Sequence, residues 1–202
     1  FYIAQALAHR RKGDPLGAIP VLEEATRRNP KSVRAWSDLG GVCFELERYD
    51  ESIAAYERIL AFAPQHVPSR VMLVRLLADC PDESIRRPDD AVKHSTQVCE
   101  AAADQPPAWV FHALALLRAG HAERALGAIQ KGTDLQGRTG GRMLLLRSLA
   151  FAALGRLDEA AAAYDAAEKI FREKTDLPPE VQRHRREAAQ ALGHDPEGDG
   201  DE

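Results

Sequence analysis

Residues 34 positions apart in this chain repeat each other's size and polarity: Ala18 and Ser52, Leu22 and Tyr56, Pro30 and Pro64, Leu39 and Leu73. A fixed period of this length is the mark of a repeat architecture in which each period is one supersecondary unit. Within one period, Val33 to His66, apolar residues recur at helical spacing in two runs, so the unit reads as a pair of short antiparallel helices. Pro64 ends the second helix, because it has no N–H to donate and its ring clashes with the preceding turn. An isolated helical hairpin leaves apolar surface on both flanks. A stacked neighbour covers it, so the chain is expected to be an array.

Trp36, Leu39, Gly40, Cys43, Ser52, Tyr56, Ile59 and Pro64 stand where a tetratricopeptide repeat carries W-x2-L-G-x2-Y, then its small and aromatic positions and its proline. The unit resembles that family, with Ser52 for the usual Ala, Ile59 for another, and Cys43 for a Tyr. Gly40 and Ser52 are small where the two helices are expected to cross, while Trp36, Leu39 and Tyr56 fill the space beside the crossing. The resemblance implies an all-α fold, a right-handed α-solenoid of about five antiparallel helix pairs with a C-terminal capping helix.

The remaining spacings place the other units. The repeats are read as about 1–32, 33–66, 67–105, 106–139 and 141–175, with a capping helix at 178–192 and an acidic, disordered tail at 193–202, the whole of 1–192 forming one domain. Asp14 and Pro15 suit an N-cap and a first-turn proline. Ile53 to Val92 spans 39 positions, so five extra residues lie between Leu73 and Val92. They are placed in Pro81 to Asp90, a longer turn between the helices of the third repeat, either a solvated bulge or a binding loop. This third repeat, ADCPDESIRRPDDAV, also looks like a variant of bacterial multidomain proteins, often behind a serine/threonine kinase domain. Trp109 takes the Trp36 role in the fourth unit, where His112 is expected to be a hydrogen-bonded core histidine. The glycine-rich run Gln136 to Gly141 absorbs a one-residue slip before the fifth. In the last helix Val181, Ala188 and Leu192 form a sparse stripe, with Arg183, Arg185, Arg186 and Glu187 expected to face outward.

The charge balance, formally −4 with a sequence pI near 6.0, offers no general attraction for nucleic acid. Two short basic runs, His9 to Lys12 and Arg183 to Arg186, are the places where one could bind. No apolar run is long enough to span a membrane, so no membrane partner is expected. Cys43, Cys80 and Cys99 fall on or near apolar helix faces and read as reduced core thiols. Histidines are scattered singly, and no glycine-rich phosphate loop, G-x-S-x-G, H-E-x-x-H or paired-cysteine motif occurs. The chain is therefore read as having no catalytic residues, no metal site and no cofactor. It starts on Phe1 inside a helical pattern and is read as a piece of a longer chain, with a cytoplasmic location expected.

Binding is the remaining function, and its site follows from helix geometry. Once Trp109, Ala113 and Leu116 pack inward, the same helix presents Val110, Phe111, Leu114 and Arg118 on its other side. The same offsets give Arg34, Asp38 and Phe44 in the second repeat, Val71, Met72 and Arg75 in the third, and Arg142, Leu145 and Leu149 in the fifth. In the resembled family this side forms a concave groove, so these residues are the candidate partner-binding groove, apolar and containing arginines, for a protein or peptide of unknown identity. The oligomeric state is not readable. Two alternatives stand beside partner binding: the capping helix covers the strip, or the array regulates in cis a catalytic domain outside these residues. The carboxylate clamp of some co-chaperones uses Asn from the first helices; here Asn29 lies at a helix end, which disfavours that ligand.

Overall fold

The computed structural model describes residues 1–172, 174 and 176–194; the acidic residues 195–202 lie outside them. Among the described residues all regular structure is helical: α1 (Tyr2–Arg11), α2 (Pro15–Arg28), α3 (Val33–Glu45), α4 (Tyr49–Phe62), α5 (Val67–Asp79), α6 (Pro88–Ala101), α7 (Pro106–Arg118), α8 (Ala122–Gln136), α9 (Gly141–Ala153), α10 (Leu157–Phe171) and α11 (Pro179–Ala191). This is an all-α helical repeat fold. The helices group into two compact units, Phe1–His94 and Ser95 onward, with the boundary inside α6.

The expected helix ends are set by local chemistry. Asp14 caps α2 by accepting from the Gly17 N–H at 2.8 Å, and Pro15 follows at the first turn. Ser32 caps α3 in the same way through Ala35. A second recurring device marks the first helix of a pair. Trp36 donates its indole N–H to the Pro30 carbonyl at 3.0 Å, and Trp109 donates to Ala103 at 2.9 Å, each six residues back. Arg70, which replaces the tryptophan in the third repeat, donates to the Pro64 carbonyl in the same relation. Both tryptophans are half-buried rather than enclosed, since the indole lies over the helix entry.

In the first unit, Ala6, Ala18, Ile19, Leu22, Leu39, Val42 and Cys43 form the core, with Trp36 packed against it. The α3–α4 crossing is as tight as the small residues predict. A Cβ on Gly40 would lie 2.9 Å from the Tyr56 ring, and the Ser52 hydroxyl donates to the Gly40 carbonyl at 2.8 Å. Cys43 lines a hollow of about 320 Å³ with Trp36, Leu39 and Arg58, space that a larger side chain at this position would fill. The five-residue insertion lies between α5 and α6, and the turn that holds it ends at Arg87, three residues earlier than expected. Helix α6 already begins at Pro88, because proline suits a first turn and Asp89 and Asp90 suit the positive end of the helix dipole. The turn before it is tied down: a 3-10 turn at Glu83–Ile85, Arg86 Nε donating to the Cys80 carbonyl at 2.8 Å, and Arg87 N–H to Leu77 at 2.8 Å.

In the second unit α9 is the central helix, packed against α7, α8, α10 and α11. That explains why it is apolar on nearly every side. Ser148 is also buried, and its hydroxyl donates to the Ala160 carbonyl at 2.8 Å. Gly141 opens α9 where the Phe171 ring approaches so closely that a Cβ would meet it at 2.5 Å.

Candidate functional site

Half-exposed side chains on the first helices of the pairs are the candidate site, and the two units differ in what they leave open. In the first unit, Asp38, Phe44, Val71, Met72 and Arg75 are all half-buried and Arg34 is exposed. Arg34 Nε lies 3.2 Å from Asp38 one turn on, a solvated pair that fixes geometry more than stability. The Arg75 guanidinium sits over the Phe44 ring, 5.8 Å from its centroid, and reaches the Met72 sulfur at 3.9 Å. Phe44 in turn meets Tyr49 edge-on at 5.8 Å. Aromatic, arginine and methionine side chains thus meet on one part-open face, the composition enriched in interface centres. Beneath it, burial pushes the Tyr56 hydroxyl up to about 12, against the pull of the Arg75 cation.

In the second unit, Val110, Phe111, Arg118, Arg142 and Leu149 are half-buried, and the Arg142 guanidinium lies over the Phe111 ring at 5.6 Å. Two expected lining residues are corrected. Leu114 keeps 1% of its surface and Leu145 none. Leu145 belongs to a core cluster with Ala167 and Phe171 of α10 and with Leu177, Val181 and Ala188 at and before α11, while α7 and α9 pack directly on one another. The terminal helix therefore covers part of the face that helix geometry left open.

The outward assignment of α11 is corrected for the same reason. Arg183 and Glu187 are half-buried, and His184 is wholly buried between the stripe residues Val181 and Ala188. Arg118 Nη2 donates to both Glu187 oxygens, at 2.9 and 2.8 Å, and Arg183 Nε lies 3.9 Å from the same carboxylate. The signal for His184 was present in the spacing, three residues after Val181 and four before Ala188; nothing local marks Glu187 as the partner of Arg118.

The two basic runs have internal partners. Arg10 pairs with Glu45, His9 Nδ1 lies 2.8 Å from Asp14, and Arg185 Nε lies 2.6 Å from Glu168. His112 is hydrogen-bonded to Ser95 at 2.9 Å, and burial holds its pKa below the ordinary histidine value. Cys43, Cys80 and Cys99 are buried free thiols. Among the described residues no cluster of three or more His, Cys, Asp or Glu could hold a metal ion, and no helix is long and apolar enough to cross a membrane.

Solved structures share the fold. A MamA protein from Desulfovibrio magneticus superposes with a TM-score of 0.74 at 18% identity, covering 87% of this chain and 96% of its own. A thermophilic tetratricopeptide repeat protein from Thermus thermophilus gives 0.62 at 17% identity, covering 95% and 97%. A tetratricopeptide repeat protein from Parabacteroides merdae gives 0.76 at 14%, covering 95% of this chain and 72% of its own. No curated protein matches the sequence significantly. The family profile of the tetratricopeptide repeat matches residues 3–67 and 112–175, which together make up more than half of the chain. With the 34-residue register, the Gly40–Tyr56 crossing and the paired helices all in place, this chain belongs to the tetratricopeptide repeat family.

Proposed function

We propose that the chain is a non-catalytic interaction scaffold that holds a peptide or a segment of a partner protein against the first-helix faces of its repeats. The observation that carries this reading is the cluster of Phe44, Met72 and Arg75, part-open and joined through the Arg75 guanidinium in the first unit. Solvated helix faces are ordinarily polar, and an aromatic ring with an arginine across it is the kind of contact that dominates peptide affinity. Selection of a displayed random-peptide library on the full chain tests it. Enriched peptides should bind about tenfold more weakly to Phe44→Ala and to Arg75→Ala. Enrichment of no sequence, or of peptides indifferent to both substitutions, sinks the reading.

A second reading, a regulatory array in cis to a catalytic domain, rests on the resemblance of the long-turn third repeat to those of bacterial multidomain proteins. Sequencing the reading frame upstream of Phe1 decides it: an adjoining catalytic domain supports it, and a start codon at that point overturns it.

A further inference from the structure

Helix α11 rests on its unit through a narrow contact. Val181, His184, Ala188 and Ala189 are buried, while Gln182, Arg185, Arg186 and Gln190 are exposed. It packs chiefly along α9, the first helix of the last pair, with Ala167 and Phe171 of α10 beside the contact, whereas the first helix of a following pair packs mainly on the preceding second helix, as α9 does on α8. A cap of the array end would need nothing more. Yet Glu187 reaches past α9 to Arg118 on α7, while Arg183, one turn earlier on α11 itself, lies 3.9 Å from the same carboxylate. Arg118 and the buried Leu145 both lie on the first-helix face assigned to partner binding.

We infer that this face of the second unit is built to take an amphipathic helix that presents a carboxylate to Arg118, and that α11 is its resident occupant, replaced when a partner helix presents a carboxylate at the Glu187 position and apolar residues along the stripe. The inference rests on the reading of the first-helix faces as partner sites. Its physical basis is the asymmetry of the contact. Beside the buried His184 the stripe is Val181, Ala188 and Ala189, modest side chains on a helix with its other side exposed, so local opening of α11 costs less than opening of α9. The charge-assisted pair supplies orientation and selects for acid. A partner with the same carboxylate and larger apolar residues binds Arg118, Arg183 having left with α11, and gains additional burial.

The probe is a labelled peptide with the sequence of residues 178–192, added to the full chain. Wild type should bind it weakly, because the site is filled. Glu187→Arg sets a third cation against Arg118 and Arg183, and should bind the peptide about tenfold more tightly than wild type does. A peptide carrying Gln in place of Glu187 should lose that gain. Equal affinity of wild type and folded Glu187→Arg overturns the inference. Hydrogen exchange on the wild type decides independently, should that variant not fold: α11 amides are expected to exchange faster than those of α9 and α10, and exchange as slow as theirs overturns it. Library selection read through Phe44 and Arg75 probes the first unit, so failure of the scaffold reading and failure of this one are told apart.

Discussion

Arg118 on α7 and Glu187 on α11 are 69 residues apart in sequence, and one guanidinium nitrogen of Arg118 donates to both oxygens of that carboxylate. Both side chains are largely shielded from water, at 21% and 24% exposure, so the pair keeps more of its strength than a solvated one. On this face of the second unit, residues such as Leu145 hold the helices together while Arg142 and Leu149 stay half-exposed.

That division is measurable as stability. Leu145→Ala should lower unfolding free energy by roughly 2–5 kcal/mol, since it opens a cavity among α9, α10 and α11. Leu114→Ala should do the same. Arg75→Ala should cost about 1 kcal/mol, the worth of a half-exposed cation–ring contact. Urea midpoints of the three variants check this, and a Leu145→Ala midpoint equal to that of wild type would place Leu145 outside the core.

Two glycines should respond to alanine in opposite directions. At Gly141 the new methyl group meets the Phe171 ring at 2.5 Å, so Gly141→Ala should destabilise by about 1–3 kcal/mol through overpacking. At Gly127, inside α8, a Cβ meets nothing within 4 Å, and Gly127→Ala should stabilise by about 0.5–1 kcal/mol through backbone entropy. Thermal midpoints moving the same way for both would contradict the packing.

Stability should fall as the solution is acidified below neutrality. His112 is half-buried against Ser95, and burial, then the Arg124 and Lys131 cations, lower its pKa from 6.5; His94 is lowered chiefly by burial as well. The unfolded chain therefore binds more protons than the folded one just below pH 6.5, and stability rises with pH through that window. It is fully present above about 6.5 and declines until the lowered folded values are passed. Urea midpoints between about pH 7.5 and pH 5 should show the decline, reduced in His112→Gln. A flat profile would mean that His112 stays solvated.

Burial pushes the Cys99 thiol up to about 11 and the Cys43 thiol upward too. The thiolate is the reactive form, so both should resist alkylation at pH 8 in the native chain and react in denaturant. Native labelling of Cys43 at the rate of a free thiol would show that the hollow beside it admits the reagent.

Much of this protein is local, and the local part is legible in the residues. Helix pairs, the cap at Asp14, and the small crossing residues Gly40 and Ser52 follow from period, propensity and size, because each depends on neighbours within one unit. Even the hydroxyl at the crossing recurs, with the donor on the second helix at Ser52 and on the first at Ser148. The face that each first helix turns away from its partner is likewise set by a spacing of three and four residues. What covers that face is not. Phe44 and Arg75 remain half-exposed while Leu114 and Leu145 are enclosed, although helix geometry assigns all four to the same side. Periodicity specifies a direction from the helix axis; occupancy of that direction depends on a helix that follows much later in the chain. Only the tertiary structure brings Glu187 to Arg118 and turns Arg183 and His184 inward, because a charge pair between distant residues leaves no periodic trace in sequence.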